Sequence, residues 1–578
     1  MKYTEILKRN RELESDLVNN KYKIAIISNI VVTQLKEILE FSLRVEGINA
    51  EVLVGDYDAI VQDSVRFSEL DAILVFWEAG NLVDGFHNTV SILQPEELDA
   101  LVDRVEGEID LVLRSLRSTP LVLMNRFSSM VFDTEILRDG AFKKFCRRLN
   151  DVLESATSLN KIIVDLDAIL AEVGLSNAVD FRQFQSGKAL YSIEFFKAYA
   201  EAVRPAFMAA AGRSKKVIVL DCDNTLWHGT LGEAGIAGIQ MGNDSSRGKP
   251  FWEVQTILRG LQREGVLLAL CSKNNPSDVD AVLSDHPDMV LKDEDLVAKM
   301  VNWQDKATNL RELALDLNLG LDSFVFLDDS AFELGLIQKE LPQVRCIAVP
   351  QRNSEYPALV RTLWRDFFSL SKAPEDKHKT IMYRQERQRK KEATKFESID
   401  EYLSSLRMEL KIYWDDQISV ARASQLTQKT NQFNLTTRRY SEAEIQGMLE
   451  DPNYMLAVFS VSDRYGNYGV TGMTIIRRGF PSTGQVFIDS LLMSCRVIGR
   501  NIEYVFFDQI VQKLRGEGWA EIRAEFLATK KNSLVERFYD DLGFNVVSDD
   551  ENHREYAVDL MRYESSGIEY ISADEKGK

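Results

Sequence analysis

Lys216-Val217-Ile218-Val219-Leu220-Asp221-Cys222-Asp223-Asn224-Thr225 decides how the middle of this chain folds. A basic residue leads into four branched or aliphatic residues, and the run halts at two carboxylates separated by one residue. A buried parallel strand delivers acidic groups in this way to the edge of a sheet, where open α/β folds bind their ligands. Two acids at that edge require a compensating cation. With the Thr225 hydroxyl beside them, the natural occupant is Mg²⁺ carrying a phosphate. The segment therefore predicts chemistry on phosphorylated substrates.

Reading outward, residues 211–371 alternate strands with helices. Val217–Leu220, Leu267–Cys271, Val290–Leu291 and Ser323–Leu327 read as strands, and Phe251–Arg263, Pro276–Leu283 and Lys306–Leu317 as helices, implying a covered parallel sheet. Acidic, hydroxyl and basic groups recur at strand ends in a chemically sensible order. Asp221 is the candidate nucleophile toward phosphorus, and Asp223 the candidate acid and base. Ser272, with Lys273, Asn274 and Thr225, can meet phosphoryl oxygens. Lys306 opens a helix and can neutralise charge on the transferring group. Asp328 and Asp329 end a further strand and, with Asp221 and Asp223, are the expected metal ligands. Each feature alone also reads as a cap, a turn or a surface residue; the ordered set is what points to a site.

The 578 residues exceed one core and lead us to expect about three domains. A net charge of −19 argues against nucleic-acid or membrane-surface partners, which need a cationic footprint. Five scattered Cys without CxxC spacing argue against a zinc site or disulfide framework. Met1–Asn20 has no apolar h-region and no apolar run approaches 18 residues, so a cytoplasmic location is expected.

Residues 1–210 alternate likewise. Lys23–Asn29, Glu51–Val54, Ala72–Trp77, Leu121–Asn125 and Lys161–Ala168 are the expected strands, with helices at Gln34–Val45 and Gln94–Arg117. Residues 372–395 form a charged connector, read as a solvated helix or linker. Residues 396–565 change character, with longer strands at Met455–Ser462, Gly469–Ile476 and Gln485–Met493, then a helix from Ile502 to Arg515. The polar tail, 566–578, is expected to fray.

Within the third block, Gln425 to Tyr440 is densely polar. Asn431, Asn434, Thr437 and Arg438 read as a substrate-binding surface, or alternatively as a capped loop and helix. Ile488 to Asn501 runs from a strand through a Gly-containing turn into a helix whose first amides could hold a pyrophosphate. Cys495, flanked by Arg496 and near Arg500, reads either as an acyl-carrying thiol or as a small residue at a strand end.

The four middle-block positions, Asp221-Cys-Asp223-Asn-Thr225, Ser272, Lys306 and Asp328-Asp329, resemble the haloacid dehalogenase-like (HAD) phosphohydrolases. The gaps between them hold no cap domain, so the resemblance implies a capless Rossmann-like domain with an open site. Leu226-Trp227-His228-Gly229, Leu231-Gly232-Glu233, Cys271 to Asn275, His286-Pro287 and Asn302 to Ala307 are similar to the FkbH-like subgroup over the whole chain. That likeness implies transfer of a glyceryl unit from 1,3-bisphosphoglycerate, a phosphorylated three-carbon acid, to an acyl carrier protein with loss of phosphate. Asp328-Asp329-Ser330-Ala331-Phe332-Glu333 departs from the subgroup's usual Asp-Asp-Asn-Pro continuation.

Arg496, Gly499 and Asn501, with Thr529 to Asn532, Phe538-Tyr539 and Leu542-Gly543-Phe544, resemble the GCN5-related N-acetyltransferase (GNAT) fold, an α+β domain. This implies that Arg496, Gly499 and Asn501 hold phosphopantetheine, carrier-bound or in coenzyme A. Ile26-Ile27-Ser28-Asn29 resembles the opening of SGNH-type hydrolases, but no His lies between His87 and His228, so a degenerate, non-catalytic domain is expected. Two other readings stay open: a phosphatase fused to an acyl-coenzyme-A-dependent N-acyltransferase, and a non-catalytic carrier-protein scaffold.

Overall fold

The computed structural model describes the chain except residues 18–19, 84, 134, 136, 157, 159, 371–377, 394, 397, 480–483, 530, 551 and 577–578. It is a mixed α/β chain in two compact units, Met1–Ala211 with Arg439–Glu450, and Gly212–Arg438 with Asp451–Lys578. Among the described residues no helix is long and apolar enough to cross a membrane.

The first unit is built on strands β1 (Tyr22–Ser28), β2 (Ala50–Val54), β3 (Ala72–Phe76), β4 (Leu121–Asn125) and β5 (Lys161–Val164) in the order β2-β1-β3-β4-β5. All four pairings are parallel. The unbroken aliphatic runs of β1, β3 and β4 are buried on both faces, as a doubly covered sheet requires. The expected strand to Ala168 ends early, because Asp165 accepts from Ala168 N and caps a helix, Leu166–Val173. A segment distant in sequence belongs here too. The Glu442–Glu450 helix buries Ile445, and Glu450 pairs with Arg117 at 2.7 Å.

The second unit holds two sheets. In the first, β6 (Val217–Leu220), β7 (Leu267–Ser272), β8 (Leu296–Val301), β9 (Phe324–Asp328) and β10 (Arg345–Ala348) run parallel in the order β10-β9-β6-β7-β8. Strand β6 is central, so its carboxyl end opens between two neighbours. Val290–Leu291 is not a strand. Gln255 Oε1 accepts from Val290 N and Leu291 N, at 2.8 and 3.2 Å, which takes their amides out of any ladder, and β8 forms at Leu296–Val301 instead.

The other sheet has nine strands: β11 (Met408–Trp414), β12 (Phe433–Asn434), β13 (Tyr454–Asp463), β14 (Gly466–Arg478), β15 (Gln485–Met493), β16 (Glu521–Leu527), β17 (Asn545–Asp550), β18 (His553–Asp559) and β19 (Ile571–Lys576). Its order is β17-β18-β16-β15-β14-β13-β11-β19, with β12 pairing β15. Strands β15 and β16 pair in parallel only over Gln485–Ile488 and Glu521–Ala524, then part. Chain segment 433–435 enters the gap. Phe433 and Asn434 pair with Met493 and Leu492, Leu435 N donates to Leu491 O, and Leu527 N donates to Leu435 O.

Two expectations need correction. Within the tail, Ile571–Lys576 does not fray, because this strand, β19, pairs in parallel with β11 from Met408 to Tyr413. The connector lies partly outside the described residues (372–377 and 394); the rest is chiefly the Lys379–Ala393 helix, and its charges are not simply solvated. Arg389 is 1% exposed and donates to both oxygens of Asp463, at 2.9 and 3.0 Å.

Candidate active site

The carboxyl edge of the β10-β9-β6-β7-β8 sheet gathers groups from three strand ends and one helix start. Asp221 follows β6, Ser272 ends β7, Asp328 ends β9, and Lys306 is the first residue of the Lys306–Leu317 helix capped by Asp305. Lys306 Nζ lies 2.8 Å from Asp221 Oδ1 and 2.6 Å from Asp328 Oδ2. Carboxylate oxygens of Asp221, Asp328 and Asp329 all lie within 4.8 Å of one another. Asp221 and Asp328 are buried and Asp329 is exposed, so the cluster faces water on one side.

Crowding three acids around one ammonium perturbs them all. Burial pushes the Asp221 carboxyl up to about 6, against the pull of Lys306 and with a further push from Asp328. Burial likewise raises Asp328, opposed by Lys306, and raises Asp329, with a further push from Asp221. Burial alone would lower the Lys306 ammonium, but Asp221 and Asp328 outweigh it and hold Lys306 above its usual range. These residues fit Mg²⁺, a hard cation that takes oxygen ligands. Asp221, Asp328 and Asp329 would hold it, and among the described residues the buried Thr225 hydroxyl nearby in the same loop has no hydrogen-bond partner. Bound there, the ion would neutralise phosphoryl charge.

Asp223, expected in the same shell, does not join it by its side chain. Its Oδ1 accepts from Trp227 Nε1 and Leu231 N, both at 2.9 Å, and its Oδ2 from Asn274 Nδ2 at 3.1 Å. Three donors thus orient one half-exposed carboxylate at the mouth of the site. Asn274 also donates to Ser272 Oγ at 3.1 Å, and Ser272 is hydrogen-bonded to Asp221. Lys273 is tied to Glu333 at 2.6 Å.

The sequence reading gave three positioning residues no role of their own. Asn224 adopts a left-handed backbone, φ 52°, which lets its side chain accept from Gly229 N and hydrogen-bond Asp329. Asn302 and Asn309 exchange two hydrogen bonds of 2.9 Å across the start of the Lys306 helix. Nothing in their spacing singles them out.

In the nine-stranded part, the expected binding residues separate. Asn434 is fully buried and its Oδ1 accepts from Thr437 N at 2.8 Å. Arg438 is held by Asp489 and Glu525. The polar run Gln425–Tyr440 is thus largely interior, not a free surface: Gln425, Thr427, Gln428, Asn434 and Thr436 are buried. Asn431, by contrast, lines a cavity of about 670 Å³ together with Cys495 and Arg496.

The loop expected to hold a pyrophosphate is committed elsewhere. Arg500 is buried, bonded to Glu386 and Tyr468, and 3.0 Å from Arg496 O. Asn501 Nδ2 donates to Tyr570 OH at 2.7 Å. Glu503, a carboxyl pushed up to about 7 by burial, occupies the first turn of the Ile502–Gly516 helix. A phosphopantetheine phosphate does not fit at that helix start, and segment 433–435 fills the β15–β16 gap beside it.

In the first unit, Ser28 Oγ accepts from Ile30 N, and among the described residues no histidine bonds to it. Glu78, buried at the same sheet edge, accepts from Tyr191 OH at 2.6 Å.

No protein-family model matches the chain, and no curated protein does. A solved structure does. The N-terminal part of a Bacteroides fragilis protein, containing a phosphatase domain and complexed with Mg, is 24% identical, with a TM-score of 0.57 over 64% of this chain and 100% of that one. Over that 64% the chain shares the fold of that protein. The Escherichia coli ribosomal-protein-S18-alanine N-acetyltransferase matches 28% of this chain and 99% of its own at 12% identity and a TM-score of 0.21. An N-acetyltransferase from Thermoplasma acidophilum, in complex with coenzyme A, matches 21% of this chain and 72% of its own at 13% identity and a TM-score of 0.18.

Proposed function

We propose that the Asp221 centre is a Mg²⁺-dependent phosphohydrolase site of the HAD-like type, within an FkbH-like glyceryl-carrier-protein synthase. The observation that carries this reading is the Lys306 bridge between Asp221 and Asp328, with Asp329 completing a three-acid cluster. Asp221 attacks phosphorus and becomes an aspartyl phosphate; Lys306 balances charge on the transferring oxygens. Asp223, aimed by Trp227, Leu231 and Asn274, protonates the leaving oxygen and then takes a proton from water. Ser272 and Asn274 hold phosphoryl oxygens.

Between Thr225 and Lys249 the chain forms only a four-residue helix and an isolated bridge, His228 to Gln240. A capless site of this kind suits a phosphate displayed on a carrier protein. Residues 1–210 then act as a degenerate SGNH-like positioning module, 211–371 as the phosphatase domain and 396–565 as a GNAT-like acyl-transfer module with Cys495 as its thiol.

Lys216, on the wall of the Cys495 cavity, precedes β6, whereas Asp221 follows it. Five residue steps along β6 separate them by about 16 Å. A three-carbon donor does not span that distance. Acyl transfer to Cys495 and dephosphorylation at Asp221 are therefore separate events on the phosphoglyceryl group. The filled β15–β16 gap disfavours the alternative, an acyl-coenzyme-A N-acyltransferase.

The test mixes protein, Mg²⁺, 1,3-bisphosphoglycerate and an acyl carrier protein, with mass as the readout. A glyceryl gain on the carrier, absent with Asp221→Asn, supports the synthase. Phosphate release without acyl gain leaves a plain phosphatase. Turnover by Asp221→Asn equal to wild type would defeat both.

A further inference from the structure

The cavity that holds Cys495 lies at the amino edge of the β10-β9-β6-β7-β8 sheet. Its wall is formed by residues immediately preceding β6, β7 and β9, so the full strand length divides it from the acid cluster. At about 670 Å³ it is within the range of small-molecule sites. Seven Lys or Arg residues line it against two acids, in a chain whose net charge is −19. A concave wall with that balance concentrates a positive field against the overall charge of the molecule.

Two of these cations stand out by their partners. Arg496 is 6% exposed; its Nε donates to Ser494 Oγ at 3.3 Å and its Nη1 faces Met382 Sδ. Lys216 Nζ donates to the Lys429 carbonyl at 2.8 Å. Among the described residues neither makes an ion pair with a carboxylate. Burial pushes the Lys216 ammonium below its usual range; Asp322 acts on it but is ion-paired with Lys531, so a bound anion would supply the direct counter-charge that these two cations do not have. A guanidinium fork and an ammonium lining one cavity match the charge of a phosphate dianion.

The remaining wall suits an organic body. Trp364 and Phe368 meet edge-on, 6.1 Å apart, and Tyr383 OH lies 3.7 Å from Cys495 Sγ. We infer that this cavity is a second ligand site, specific for a small phosphate monoester held by Lys216 and Arg496, with its other end against Cys495. The inference rests on the synthase reading only for what Cys495 then does. That phosphate monoester chemistry has two sources, a free phosphorylated acid and free 4′-phosphopantetheine.

Calorimetry on full-length Asp221→Asn protein without Mg²⁺ separates this from the phosphatase reading, which phosphate release by wild type tests independently. The probes are 3-phosphoglycerate and 4′-phosphopantetheine, each against its dephosphorylated counterpart, glycerate or pantetheine. At least one phosphorylated probe should bind ten-fold or more tightly than its counterpart and slow iodoacetamide labelling of Cys495 at least five-fold. The first probe alone marks a phosphorylated acid, and the second alone a pantetheine phosphate. Adding Lys216→Gln or Arg496→Gln should abolish binding; Lys216→Gln, at a part-buried position, decides if Arg496→Gln fails to fold. No binding by either phosphorylated probe, equal binding of the dephosphorylated ones, or binding that survives Lys216→Gln overturns the inference.

Discussion

Lys306 donates to Asp221 across 2.8 Å in a pocket where their side chains are 5% and 8% exposed. Removing one partner of such a pair leaves an uncompensated buried charge, which costs about 3–5 kcal/mol. Lys306→Met should therefore lower the thermal midpoint in metal-free buffer. Added Mg²⁺ should restore more of the variant's midpoint than it adds to wild type, because the ion replaces the lost cation. An equal Mg²⁺ response in both proteins would count against a metal among Asp221, Asp328 and Asp329.

Asp223 is oriented by three donors but stands outside the acid cluster. Asp223→Asn should reduce kcat about 10²–10⁴-fold, the usual worth of a positioned acid and base. The Mg²⁺ concentration for half-maximal stabilisation should stay unchanged. A large loss of metal affinity would return Asp223 to the metal shell.

Glu503 has a buried Oε2 without a hydrogen-bond partner among the described residues, and burial raises its carboxyl to about 7. Because the folded state holds this proton more tightly than the unfolded chain, the stabilising contribution is complete below about pH 4.5. It is lost as pH climbs to about 7. Glu503→Gln should match wild type near pH 4.5 and exceed it above pH 7, by at most about 3 kcal/mol. Urea titrations at pH 5 and pH 8 measure the difference; a pH-independent gap would refute it.

Arg389 and Asp463 are 1% and 0% exposed and joined by two hydrogen bonds. Asp463 also accepts from Tyr468 OH at 2.6 Å and lies 3.7 Å from Arg500. Asp463→Ala should destabilise the second unit by about 3–5 kcal/mol, since two arginines lose a buried counter-charge. Chemical denaturation showing less than about 1 kcal/mol would mean that water reaches the network.

Much of the middle block was legible because its signals are local. Val217–Leu220 and Lys306–Leu317 fold with the bounds that their residues predict, and Asp221, Ser272, Lys306 and Asp328 each sit at a strand end or helix start. Backbone period and burial are read within one segment, so a single stretch carries them. Asp165 and Gln255 show where local reading stops. The cap at Asp165 cut a strand short, and the distant amide acceptor of Gln255 removed another.

The chain's own residues determined three things: sheets with helices between their strands, acids delivered to the end of β6, and a lysine at the start of a helix. Only the tertiary structure decided which acids share one centre and that Asp223 faces its neighbours instead. Folding also sent the polar run after Gln425 inward and set Cys495 a strand's length from Asp221. The reason is physical. Strand and helix formation follow from neighbours a few residues apart, whereas charge compensation and hydrogen-bond satisfaction are settled between groups that only folding brings together.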